Sequence, residues 1–76
     1  MTPYKNLQGD SGIESYEMTD DSLTVKFKSG QFRHYLYTNK KPGPAALERM
    51  KQLAIQGKGL NGYILTIIKD RFSDRW

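Results

Sequence analysis

Residues 13–37, IESYEMTDDSLTVKFKSGQFRHYLY, decide the fold of this chain. Three short runs rich in β-branched and aromatic residues, 13–18, 22–28 and 31–37, are separated by the turn-forming pairs Asp20-Asp21 and Ser29-Gly30. A two-residue turn sets the pairing on either side of it. The first predicts Met18 opposite Leu23 and Tyr16 opposite Val25. The second predicts Phe27 opposite Phe32, Val25 opposite His34 and Leu23 opposite Leu36. With side chains alternating between faces, Tyr16, Met18, Leu23, Val25, Phe27, Phe32, His34 and Leu36 then share the core side of a three-stranded antiparallel β-meander.

The same register places Thr24, Lys26, Lys28, Arg33, Tyr35 and Tyr37 on the opposite, open side. Aromatic rings interleaved with cations on a sheet surface suit single-stranded nucleic acid, with bases stacked on the rings and phosphates met by Lys or Arg. Lys26, Arg33, Tyr35 and Tyr37 are therefore the candidate nucleic-acid-binding residues. A solvated face, or one covered by a second copy of the chain, is the competing reading, since tyrosine is also a good strand former.

Working outward, residues 1–12 hold Pro3, Gly9, Gly12 and few apolar side chains, which predicts a flexible arm ahead of a single domain over 13–76. Gly9-Asp10-Ser11-Gly12 matches the string around a serine-protease nucleophile. A triad is defined by geometry, which a chain of 76 residues cannot build on two closed barrels. After the meander, Pro42 and Pro44 delay a helix that starts at Pro44 and runs to about Gln56. Its apolar stripe is Leu47, Met50, Leu53 and Ala54, and Gly57 closes it. A last helix, from Leu60 or Asn61 to Phe72, carries Leu60, Ile64, Ile67 and Ile68 on one stripe. The architecture predicted is α+β, the meander followed by two α-helices packed on one face.

Between the helices, the loop 57–62, GKGLNG, joins a helix end to a helix start. Free N–H groups there, with Lys58 at hand, favour an anion, so Gly57, Lys58, Gly59 and Asn61 are the candidate phosphate-binding residues. The loop lacks the spacing of a P-loop, and a plain turn with a capping asparagine is the alternative.

The chain has no cysteine and one histidine, so thiolate chemistry and the usual zinc sites are excluded. His34, predicted to face the core, has no acid or nucleophile at a telling spacing. No enzyme activity, metal or cofactor is expected. The net charge is +4, with eight basic against three acidic residues over 38–76, which favours polyanionic partners. No run is long and apolar enough for a bilayer, and a cytoplasmic protein without membrane contact is expected.

Val25-Lys26-Phe27-Lys28-Ser29-Gly30, then Tyr35-Leu36-Tyr37, then a proline-led helix followed by Gly57, Leu60, Asn61 and Ile64 form an ordered set of strings. In them the chain resembles, from about residue 11 to 72, the KTSC domain. That small family is named for a C-terminal extension on some lysyl-tRNA synthetases and also occurs as stand-alone bacterial and phage proteins. Tyr35 lies about two residues further from the Ser-Gly turn than the pattern sets, so Phe32-Arg33-His34 is an alternative occupant of the Tyr-x-Tyr place, and Gly59 replaces a usual aromatic. The resemblance implies this α+β fold and, from the synthetase context, RNA binding. The functions in play are thus a non-enzymatic module for RNA or single-stranded nucleic acid, a small-nucleotide binder or sequestering protein using the 57–62 loop, and a homodimeric protein-interaction domain.

Overall fold

The computed structural model describes residues 1–7, 9 and 11–76. The fold is α+β, with an antiparallel sheet and two helical segments, and the sheet has five strands rather than three. The strands are β1 (Thr2–Pro3), β2 (Ile13–Thr19), β3 (Ser22–Phe27), β4 (His34–Thr38) and β5 (Asp74–Arg75), in the spatial order of the sequence. Helix α1 (Pro44–Gln56) follows β4, and α2 (Leu60–Tyr63) runs straight into a π-helical segment, Ile64–Ile68.

The first hairpin has the register that its turn sets, with Thr19 opposite Ser22, Met18 opposite Leu23 and Tyr16 opposite Val25. Helix α1 reinforces it, because the Lys51 ammonium donates to the carbonyls of Thr19 and Asp20 at 2.6 and 2.9 Å. Further along, the ladder steps from Ile13–Phe27 to Ser15–Lys26, leaving Glu14 as a bulge.

The second hairpin corrects the expected register by one place. Leu23 pairs with Tyr37, Val25 with Tyr35 and Lys26 with His34. Ser29-Gly30 does not make a two-residue turn. Residues 28–33 form a longer loop, closed by the Phe27 N–H donating to the Arg33 carbonyl at 2.7 Å and by Arg33 Nε donating to the Phe27 carbonyl at 3.0 Å. Such a loop leaves register to side-chain burial, and a one-residue slip exchanges the two faces. Two tyrosine rings outweigh a histidine and a leucine in apolar area, so Tyr35 and Tyr37 turn toward the helices. His34 and Leu36 take the outer face, against the expectation that both lie in the core.

The core joins Ile13, Leu23, Val25 and Tyr37 of the sheet to Leu47, Met50, Leu53 and Ala54 of α1 and to Leu60, Ile64 and Ile68 beyond it. The α1 stripe is as expected, with Pro44 in the first turn and Gly57 in the left-handed conformation at φ 79°. The last helix is not. It stops at Ile68 rather than Phe72, and Ile67 is 51% exposed instead of joining the stripe. The run is rich in β-branched residues, and the Thr66 hydroxyl donates to the Gly62 carbonyl at 2.7 Å, competing with the ordinary helical bond. The backbone shifts to i→i+5 bonding, shown by the Lys69 N–H donating to the Ile64 carbonyl, and this spacing rotates Ile67 off the buried side. A turn closed by the Arg71 N–H on the Ile68 carbonyl at 3.1 Å then feeds β5 onto the free edge of β4.

The expected arm is also corrected. Thr2–Pro3 pairs with β2, and Tyr4 is in the core at 6% exposure. The Tyr4 N–H donates to the Glu14 carbonyl and the Leu7 N–H to the Gly57 carbonyl, so the segment bridges the sheet edge to the end of α1. Asp10 of the Gly9-Asp10-Ser11-Gly12 string lies outside the described residues, as does Gln8. No helix is long and apolar enough to cross a membrane among the described residues.

Candidate functional site

The slipped register moves the two candidate tyrosines from the open face to the helix side. Tyr35 and Tyr37 leave the four-residue nucleic-acid set and line a groove of about 530 Å³ beside the π-helical segment. Phe27 comes from the end of β3 and Phe32 from the 28–33 loop, Ile64 and Leu65 from the π-helical segment, and Lys69 and Arg75 from the segment after it. This volume is that of an ordinary small-ligand site.

The aromatic walls are ordered by ring contacts. Tyr35 meets Phe27 edge-on, with centroids 5.3 Å apart, and Phe72 edge-on at 5.1 Å. The Arg75 guanidinium lies 4.2 Å from the Phe32 ring centroid and 5.1 Å from that of Phe72, held by cation–π attraction. Tyr37 is only 1% exposed, and burial, with the neighbouring Tyr35 phenol, pushes its pKa above the ordinary phenol range. The Tyr37 phenol is therefore a neutral hydrogen-bonding group at ordinary pH.

Lys69 stands at the groove rim with φ 56° and ψ −116°, the geometry of the first central residue in a type II′ turn. Glycine is the residue suited to that conformation, and a lysine there costs on the order of 1–3 kcal/mol. The nearest helical end is capped separately, because Arg71 Nη2 donates to the Ile67 carbonyl at 2.7 Å.

Lys26 and Arg33 remain on the outer face, where both are spent on one carboxylate. Glu14 Oε2 is 3.1 Å from Lys26 Nζ and Glu14 Oε1 is 3.3 Å from Arg33 Nη2. The Lys26 hydrogen bond is the first cause that holds the Glu14 carboxyl below its ordinary range. Beside them His34 stacks flat on Trp76, rings 5.3 Å apart and 1° from parallel. The described residues contain no other ion pair, so Lys69 and Arg75 of the groove meet no carboxylate there.

The glycine loop is divided. Lys58, Gly59 and Asn61 line a polar pocket of about 190 Å³ together with Tyr4, Asn6, Ser11 and Gly62. Gly57 is not part of it, being buried against Lys5. Asn61 is not a cap either. Gly59 occupies the cap position at φ 81°, and the Leu60 N–H donates to the Tyr4 hydroxyl at 3.4 Å. Ser11 N–H is likewise spent on Asn6 Oδ1 at 3.1 Å.

Sequence reading missed Phe27, Phe32, Lys69 and Arg75 as a group because they come from both ends of the domain. One signal was present: Phe27, Tyr35 and Tyr37 share parity with Leu23 and Val25 once the 28–33 loop is given its full length. Comparison with family models, curated proteins and solved structures finds no match for the chain.

Proposed function

We propose that this protein is a non-enzymatic module that binds a nucleotide, free or as one unit of a single strand such as RNA, in the groove between β4, β5 and the π-helical segment. The observation that carries the reading is the placement of two cations, Arg75 and Lys69, at the mouth of an aromatic-walled groove, neither of them ion-paired with a carboxylate among the described residues. A base stacks against Phe32 or Tyr35, a contact worth about 1–3 kcal/mol. The phosphate meets Arg75 and Lys69, and the phenols supply hydrogen bonds to base or ribose. The KTSC resemblance belongs to this proposal, since its RNA context suits the same ligand chemistry.

NMR shift mapping with mononucleotides and short oligonucleotides at low salt tests it. Shifts are expected at Phe32, Tyr35, Lys69 and Arg75, with affinity falling as salt rises. Preference for oligonucleotides assigns the module to single strands, and equal or better binding of mononucleotides assigns it to free nucleotides. Arg75→Ala is expected to weaken binding about tenfold or more through loss of a charge-assisted contact. Shifts confined to Lys58, Gly59 and Asn61 would transfer the site to the polar pocket. No shift anywhere with millimolar nucleotide and tens of micromolar oligonucleotide would end the reading.

A further inference from the structure

We infer that residues 72–76 exchange between two copies of this chain, so that β5 of each copy lies on β4 of the other and each groove is completed by the partner's Arg75. The inference stands on the attachment of this segment and does not need the nucleotide reading.

Residues 73–76 are all exposed, and what holds them is a backbone ladder. Ser73 N–H donates to the Leu36 carbonyl at 2.6 Å, Trp76 N–H to the His34 carbonyl at 2.9 Å, and His34 N–H back to the Trp76 carbonyl at 2.9 Å. The side-chain contacts, Trp76 on His34 and Arg75 on Phe32, lie on the surface of the sheet edge. Phe72, half-buried against Tyr35, is the segment's one inward anchor. Detachment thus exposes the edge of β4 and little of the core. A bare edge is a template for another extended strand.

The complement of that edge is this chain's own sequence, and a second copy supplies an identical segment. Every contact made by residues 72–76 is re-formed in the exchanged pair, so the balance between closed and exchanged forms is set by the connecting turn. That turn carries a non-glycine residue with positive φ outside the helical left-handed region, Lys69 at φ 56° and ψ −116°. Straightening it removes the strain while the ladder is kept. Short strained connections favour exchange for this reason.

The test uses the absence of native cysteine. His34 and Trp76 exchange both backbone bonds, a pairing whose Cα separation of about 5.5 Å suits a disulfide. A chain carrying His34→Cys and Trp76→Cys is refolded dilute and at millimolar concentration, oxidised and run on a denaturing gel without reductant. Covalent dimer from the concentrated sample and monomer from the dilute one are expected. Sedimentation of the unsubstituted chain refolded at millimolar concentration is expected to show the same dimer, reduced roughly tenfold in Lys69→Gly. Intrachain disulfide alone at both concentrations overturns the inference, including where sedimentation still finds a dimer, which would then use another face. A dimer population unchanged in Lys69→Gly overturns it as well.

Discussion

The two hairpins of this sheet obey different masters. Between β2 and β3 the chain turns within Asp20-Asp21, and the register follows from the turn all the way to Tyr16 and Val25. Between β3 and β4 the turn residues are the same in kind, Ser29-Gly30, yet the loop extends from residue 28 to 33 and the register moves one place. A tight turn transmits alignment along the backbone, whereas a longer loop hands the choice to whichever side chains gain most from leaving water. The candidate site moves with that choice, because one place of slip decides whether Tyr35 and Tyr37 form an open platform or the wall of a groove.

The strongest challenge to this contrast is a pair of truncations on β4. Tyr37→Ala is expected to cost about 3–5 kcal/mol in urea unfolding, as for a large aromatic removed from a core, and Leu36→Ala about 1 kcal/mol or less. Equal costs, or the reverse order, would restore the register that a two-residue turn would have set. Next in size, Lys69→Gly is expected to raise stability by about 1–2 kcal/mol, read as a higher melting temperature, since glycine suits the turn that delivers β5 to β4. A lower melting temperature would show that the turn is not strained.

A milder probe addresses the first hairpin. Lys51→Ala removes two donors from the turn carbonyls and is expected to cost about 1 kcal/mol while amide NOEs still pair Tyr16 with Val25. A shifted NOE pattern would mean that α1, not the turn, sets that register. The smallest effect is in pH. The Tyr37 pKa is raised on folding, so its contribution is complete below the unfolded phenol value of about 10 and is lost as pH climbs above it. Tyr37→Phe should flatten the alkaline decline in stability, and an unchanged slope would argue that Tyr37 is not buried.

Legibility in the sequence followed the range of the interaction. Pro44, Gly57 and the stripe Leu47, Met50, Leu53 and Ala54 mark α1 through rules that act within a few residues, and the observed helix agrees. The α+β class and the alignment of β2 on β3 were open to the same local reasoning. Tyr4 was not, because its burial depends on joining a core whose other members include Leu60, 56 residues along the chain. The π-helical segment escaped notice since apolar spacing at Ile64, Ile67 and Ile68 fits an α-helix, and the competing Thr66 bond is invisible to periodicity. Of the candidate anion loop, Lys58, Gly59 and Asn61 do gather around one pocket, while Tyr4, Asn6 and Ser11 of its walls came from the segment read as an arm.

Gly57 carries a consequence beyond ending α1. A methyl group at this position would sit 2.5 Å from Lys5 Cβ, so even alanine must push the first residues away from the helix end. The left-handed φ of 79° adds a second penalty at the same atom. Fraying of the opening strand and loosening of the helix terminus are thereby one event, and hydrogen exchange in Gly57→Ala should show the amides of Tyr4, Leu7 and Gly57's own position losing protection in concert.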